Sequence, residues 1–259
     1  MQRLPALFLL LAACTGEEPS ELTYPAAKLK DFILHINHGA VVVRHPRGEE
    51  KKDVCRLILK ESGGEKVLGA EARFNPQVTA ERIRLRQRRN EPGLRLDIEV
   101  VVPEGIDIEI VVREGGIRLE GRFGAAKATC TSGDIHVDAA SLKGGAFKTN
   151  TGSVTLELAK PKIERDVQCE SIGGNVSLRL PAGYRGPIRL LSGTSEFDFG
   201  PNPPVAFLLD SDKQSARAFA GTPMSSEARV EAAKTNKWPP GVWGKTTKGK
   251  ITFRIAGQE

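Results

Sequence analysis

The chain has 259 residues, in which 38 Lys and Arg stand against 32 Asp and Glu, a formal net charge of +6. That surplus is small and dispersed, so it gives no ground for a nucleic-acid partner and only a mild preference for acidic surfaces. With 27 Gly and 5% aromatic residues, the interior is expected to be layered Val, Ile and Leu, with no single large aromatic cluster, as in a repetitive β fold.

The first element is "MQRLPALFLLLAAC". Arg3 leads into an apolar run from Leu4 to Ala13, too short for the ~20 residues a spanning helix needs and matched to the h-region of a secretory signal. Leu11-Ala12-Ala13-Cys14 resembles the bacterial lipoprotein lipobox. The resemblance implies a signal peptide over residues 1–13, diacylation of Cys14, and membrane attachment through that residue. Acyl chains contribute about 0.8 kcal/mol per buried CH₂, and two or more hold a domain where one cannot. Thr15 follows the cysteine where an Asp would imply inner-membrane retention, so the outer membrane is favoured in a Gram-negative cell. Residues 14–27, polar with two prolines, read as a flexible tether before a domain over 28–259.

From Phe32 the chain alternates apolar and polar residues in "FILHI", "AVVVRH", "CRLILKE", "AEARF", "ERIRLRQ", "LRLDIEVVV" and "IDIEIVV", divided by turns such as "SGG" and "NEPG". This is the period of strands, and the expected class is all-β. His35, His38 and His45 are separated by odd steps, which on a strand point to opposite faces, so no shared metal ion is expected. Arg82, Arg84, Arg86 and Arg88 fall on one face, with Ile83 and Leu85 on the other. The four could form an anion-binding ladder, because guanidinium pairs bidentately with phosphate or uronate, or a solvated face that discourages edge pairing.

The second half repeats. Gly115 is followed by Ile117 and Leu119, Gly133 by Ile135 and Val137, Gly152 by Val154, Leu156 and Leu158, and Gly174 by Val176, Leu178 and Leu180. Aliphatic residues fall two and four places after each glycine, and the steps between glycines are 18, 19 and 22 residues. The expectation is a single-stranded parallel β-solenoid of about 18–22 residues per coil, each glycine making a corner that a Cβ would obstruct. A looser copy starts at Gly193, and the phrase returns at Gly39 and Gly249. The repeats are clearest over 112–199 and irregular over 200–240.

These phrases carry a further resemblance. "TSGDIHVD", "NTGSVTLEL", "IGGNVSLRLPAG" and "VVVPEGIDIEIVVREGGIRLEG" are similar to the bacterial putative-adhesin family of repetitive β-solenoid domains. That likeness implies an envelope or surface location and brings no established catalytic residues, so no site is carried over from it.

The remaining chemistry is sparse. Cys55, Cys130 and Cys169 leave an odd number, so at most one disulfide can form among them; Cys130 and Cys169 lie in repeats that are not adjacent, two strand spacings of about 4.8 Å exceed disulfide reach, and the three are expected as buried small hydrophobes. No Cys-x-x-Cys occurs. Asp134 has Gly116, Ser153 and Asn175 as its counterparts, which disfavours a calcium repeat, and it is expected to face water with His136. The pairs Thr129/Thr131 and Thr149/Thr151 are expected to face opposite ways and so form no flat threonine ladder. Trp238 and Trp243 could stack on a sugar; the favoured expectation is an aromatic cap on the last coil. No repeated carboxylate pair is read from the outward positions. The sequence therefore points to a non-enzymatic adhesion, scaffold or interaction module without cofactor or metal. The alternatives are a binder of anionic polysaccharide and, behind it, a carbohydrate-active β-helix enzyme.

Overall fold

The computed structural model describes residues 19–63, 73–88, 91–200, 205–220 and 239–256. The signal segment, Cys14 and Trp238 lie outside them. The described chain is all-β, as expected, with nineteen strands and no helix. The sheet is mixed: its middle is parallel and its ends are antiparallel.

Two parallel ladders share one apolar core. In the first, the strands that follow the glycines stack as β7 (Arg95–Val101), β3 (Val41–Arg44), the start of β9 (Ile117–Ser132), the start of β10 (Ile135–Thr151), β11 (Val154–Leu158), β13 (Val176–Leu180), β19 (Ile251–Ile255) and β15 (Phe197–Asp198). The second holds the strands that precede them: β6 (Arg82–Gln87), β2 (Asp31–His38), β8 (Asp107–Glu114), the ends of β9 and β10, β12 (Val167–Ser171), β18 (Val242–Thr246) and β14 (Gly186–Ser192). Strand alternation turns Ile117, Ile135, Val154, Val176 and Ile251 inward in one column, each at most 2% exposed. Fully burying such a side chain contributes roughly 1.5–3 kcal/mol, so the column is a main source of stability.

The stacking order departs from a simple coil at both ends. The rung β2–β3 comes first in the chain of glycine-linked rungs but lies between β6/β7 and β8/β9. Likewise β18–β19, the last described, lies between β12/β13 and β14/β15. Only the rungs from β8 to β13 stack in chain order. Antiparallel strands close the ends: β4 (Val54–Ser62) and β1 (Ser20–Pro25) on β7, β5 (Phe74–Val78) on β6, and β17 (Ser215–Ala220) with β16 (Leu208–Leu209) on β14. Among the described residues the first strand, β1, starts at Ser20, within the stretch read as tether, with Leu22 buried against the core.

The glycine column is steric in origin. A Cβ on Gly115 would lie 1.8 Å from the Gly39 carbonyl oxygen, and one on Gly133 would lie 2.0 Å from that of Gly115. Both residues also have φ near +140°, where a side chain is strained. The looser copy is placed two residues from where its glycine suggests. Phe197 pairs with Ile251, so Ser195, at φ 60°, takes the corner position instead of Gly193. Trp238 of the expected aromatic cap lies outside the described residues, and the aromatic cluster described at that end is made of phenylalanines. Phe199 stacks on Phe207 with centroids 4.1 Å apart, and Phe207 meets Phe253 edge-on at 5.4 Å. Phenylalanines close that end, because their apolar rings can cover the last rung without leaving a polar atom unpaired.

Candidate functional site

The polar residues of the repeat face each other between rungs. Three places before each corner stands Cys130, Thr149, Ser171, Thr246 or Ser192, all inward and nearly fully buried. Each donates to the corner carbonyl of the rung before: Cys130 Sγ to Gly115 at 2.9 Å, Thr149 Oγ1 to Gly133 at 2.8 Å, Ser171 Oγ to Gly152 at 2.6 Å, Thr246 Oγ1 to Gly174 at 2.7 Å, and Ser192 Oγ to Gly249 at 3.2 Å. A buried carbonyl left unpaired is costly, so a donor recurs there. Just after the corner, Asp134 Oδ1 accepts the Ser153 N–H at 2.7 Å and Asn175 Oδ1 accepts the Lys250 N–H at 2.9 Å. Asp134 is exposed, yet it is a strut between rungs and not merely a solvated side chain. Thr149 is buried while Thr129 and Thr131 face outward, so no threonine ladder forms.

The histidines do not converge. His45 is 9% exposed; its Nε2 accepts the Arg122 N–H at 2.7 Å, which leaves the proton on Nδ1, donating to the Val102 carbonyl at 2.8 Å. This neutral ring pins the corner where β9 passes between ladders. His38 meets Glu114 at 3.0 Å. His35 lies on β2 beside Arg86, its Nε2 buried without a partner. Burial lowers its imidazole below the ordinary value, Glu109 opposes that, and Arg84, Arg86 and Lys127 add to it. Cys55, Cys130 and Cys169 are free and buried. Burial pushes the Cys55 thiol up to about 12 and raises Cys130 and Cys169 as well, which makes all three poor nucleophiles.

The arginine face is only partly available. Arg82, Arg84, Arg86 and Arg88 are all exposed, as the alternation requires. Arg82 is paired with Asp31 at 2.8 Å, however, and Arg88 Nε donates to the Phe74 carbonyl. Arg84 and Arg86 have no ion pair among the described residues. β6 is also not an edge, since β5 covers its far side.

Register brings out two features, a row of carboxylates and the outward position of Trp243. Glu120, Asp138 and Glu157 stand side by side on successive strands of the first ladder. Each lies five places after its glycine, a regularity that counting would have found. Glu120 is held by Arg47 at 2.9 Å and Arg118 at 2.5 Å. The second feature is Trp243, which sits outward and half-buried on β18 instead of in a cap, with the Arg189 guanidinium 4.5 Å from its ring centroid. Six places before Gly249, its even spacing puts it opposite in sense to the inward Thr246.

On the second ladder a single outward column runs Arg84, Ile33, Glu109, Lys127, Ala146, Gln168, Trp243, Arg189, Arg217. Beside it an open trough of about 380 Å³ is bordered by Asp31, Arg82, Asp107 and Lys127 and floored by Ala125 and Ala146. Among the described residues no group of His, Cys, Asp and Glu is arranged to hold a metal ion.

No family model and no curated protein matches the chain. Two solved structures are similar to it. One is a putative cell adhesion protein from Clostridium sporogenes, at 13% identity and TM-score 0.40, covering 92% of this chain and 100% of that one. The other is a putative adhesin from Bacteroides fragilis, at 9% identity and TM-score 0.31, covering 93% of this chain and 98% of that one. Both likenesses are distant.

Proposed function

We propose that the chain is a non-catalytic interaction module of the bacterial envelope, of adhesion or scaffold type. Lipid on Cys14 would hold it to the membrane, the outer one in a Gram-negative cell, with a solenoid-like stack projecting from it. The observation that carries this reading is the fate of the repeat's polar groups. Thr149, Ser171, Asp134 and Asn175 are used between rungs, so the repeated chemistry builds a body and leaves the outward faces for contact. The experiment is to incubate the purified chain with a panel of envelope polysaccharides and follow both binding and products. Binding without turnover supports the reading; turnover of any polymer overturns it. Globomycin sensitivity of processing, with loss of the lipid in Cys14→Ser, tests the anchor separately.

A second reading is binding of anionic polysaccharide. Arg84 and Arg86 favour it, being exposed, adjacent on one face and unmatched by carboxylates among the described residues. Reversing both charges lowers retention on an acidic glycan if this reading holds; unchanged retention ends it.

A further inference from the structure

Most outward cations of the second ladder have a carboxylate beside them. Arg82 pairs with Asp31, Lys127 with Glu109, and Lys148 and Lys245 share Glu170. The arrangement changes at the end of the column. There Gln168, Trp243, Arg189 and Arg217 lie side by side on β12, β18, β14 and β17.

Trp243 lies along its own strand over Gly241; a Cβ on that glycine would come within 3.4 Å of the indole Nε1. The Arg189 guanidinium rests over the ring, 4.5 Å from its centroid. A guanidinium held over an aromatic ring loses rotamer freedom, and its five N–H donors can meet paired oxygens two at a time. Arg217 is directly opposite Arg189 across the antiparallel pair. Like charges so placed repel and destabilise the pair unless something negative lies between them. Among the described residues Arg189 has no carboxylate partner. Arg217 has one solvent-exposed contact, with Asp210 at 3.4 Å, which salt and water screen. The exposed Gln168 amide on the other side of Trp243 supplies a donor and an acceptor suited to hydroxyls.

We propose that Trp243, Arg189 and Arg217 form a binding site for an oxoanion-bearing sugar of an acidic polysaccharide. The anion lies between the two guanidiniums, and the sugar lies along the indole edge toward Gln168. A carboxylate and a sulfate ester offer the same paired oxygens to the fork. The site is separate from Arg84 and Arg86: β6 and β14 are seven strand steps apart, roughly 34 Å at ~4.8 Å per step, so either can fail while the other stands.

The test uses Trp243 as its own reporter. The sequence has two tryptophans, and Trp238→Phe leaves Trp243 as the only one. In that chain, at about 0.15 M salt, where exposed charge pairs are screened beyond ~8 Å, polygalacturonate, dextran sulfate and neutral dextran are titrated while Trp243 emission is followed. A saturable change is expected with one or both acidic polymers and none with dextran. A response to polygalacturonate alone assigns the anion as a carboxylate, and one to dextran sulfate alone as a sulfate ester. Arg189→Gln is expected to weaken binding about tenfold or more, the loss of one charge-assisted pair. Arg189→Lys recovers only part of it, and Arg84→Glu/Arg86→Glu leaves the signal in place. No response to either acidic polymer, an equal response to dextran, or undiminished affinity in a folded Arg189→Gln chain overturns the proposal.

Discussion

The carbonyl oxygen of Gly133 accepts a hydrogen bond from the Thr149 hydroxyl at 2.8 Å, one rung further along the stack. Thr149 is fully buried, so no water replaces the bond if it is lost. Thr149→Val keeps the shape and removes the donor, and is expected to cost about 1–3 kcal/mol in urea unfolding, against less for Thr149→Ser. Cys130→Thr, which places a stronger donor at the equivalent position, is expected to be neutral or stabilising.

Gly133 itself is the more sensitive residue. Its φ of +140° and the Gly115 carbonyl, 2.0 Å from any added Cβ, oppose every side chain. Gly133→Ala is expected to destabilise by roughly 2–5 kcal/mol, strain and overpacking together. Gly48→Ala is the control: φ is +57° there and nothing lies within 4 Å of an added Cβ, so the cost is about 1 kcal/mol. Equal melting temperatures for the two variants would contradict the stacked column.

Acid should weaken one end of the molecule first. Hydrogen bonds from Arg44, with help from the Arg47 N–H and Arg56, outweigh burial and hold the Glu50 carboxyl at about 2, below its ordinary 4.5. The folded value is the lower one, so this stabilisation is complete above about pH 4.5 and is lost as the pH falls toward 2. Glu50→Gln should lower stability at pH 7 by about 1–3 kcal/mol and flatten the decline between pH 4.5 and 2. Chemical unfolding across that range checks both.

The last described rung should not fray. Val242–Thr246 pairs with β12 on one side and β14 on the other, so its amides open only when the rung is pulled from between two neighbours. Hydrogen exchange in β18 is therefore expected to be as slow as in β12, although β18 is close to the end of the chain. Fast exchange there, with slow exchange in β12, would contradict the inserted order.

Much of the body is legible in the sequence because every rung needs the same buried pair and the same Cβ-free corner: Ile135 and Val137 after Gly133, Val154 and Leu156 after Gly152. What the sequence does not carry is which rung lies beside which. Gly115 rests on Gly39, far earlier in the chain, and apolar pattern alone cannot distinguish that neighbour from another of equal shape. Ser195 at a corner escapes notice because the nearby Gly193 offers a false frame. The outward groups were readable by parity, as Trp243 counted from Gly249 shows. Their pairing was not, since the Asp31 that occupies Arg82 comes from a strand 51 residues away.

On this view the repeat's polar residues serve folding and the outward cations serve contact, a division of labour that one measurement separates. The measurement is retention of the folded chain on an immobilised acidic polysaccharide, comparing Arg84→Glu/Arg86→Glu/Arg189→Gln with Thr149→Val at a temperature where both are folded. The arginine variant is expected to lose retention at an unchanged melting temperature, while Thr149→Val melts earlier and is retained like the parent. Full retention of the arginine variant, or loss of retention by folded Thr149→Val, would contradict it.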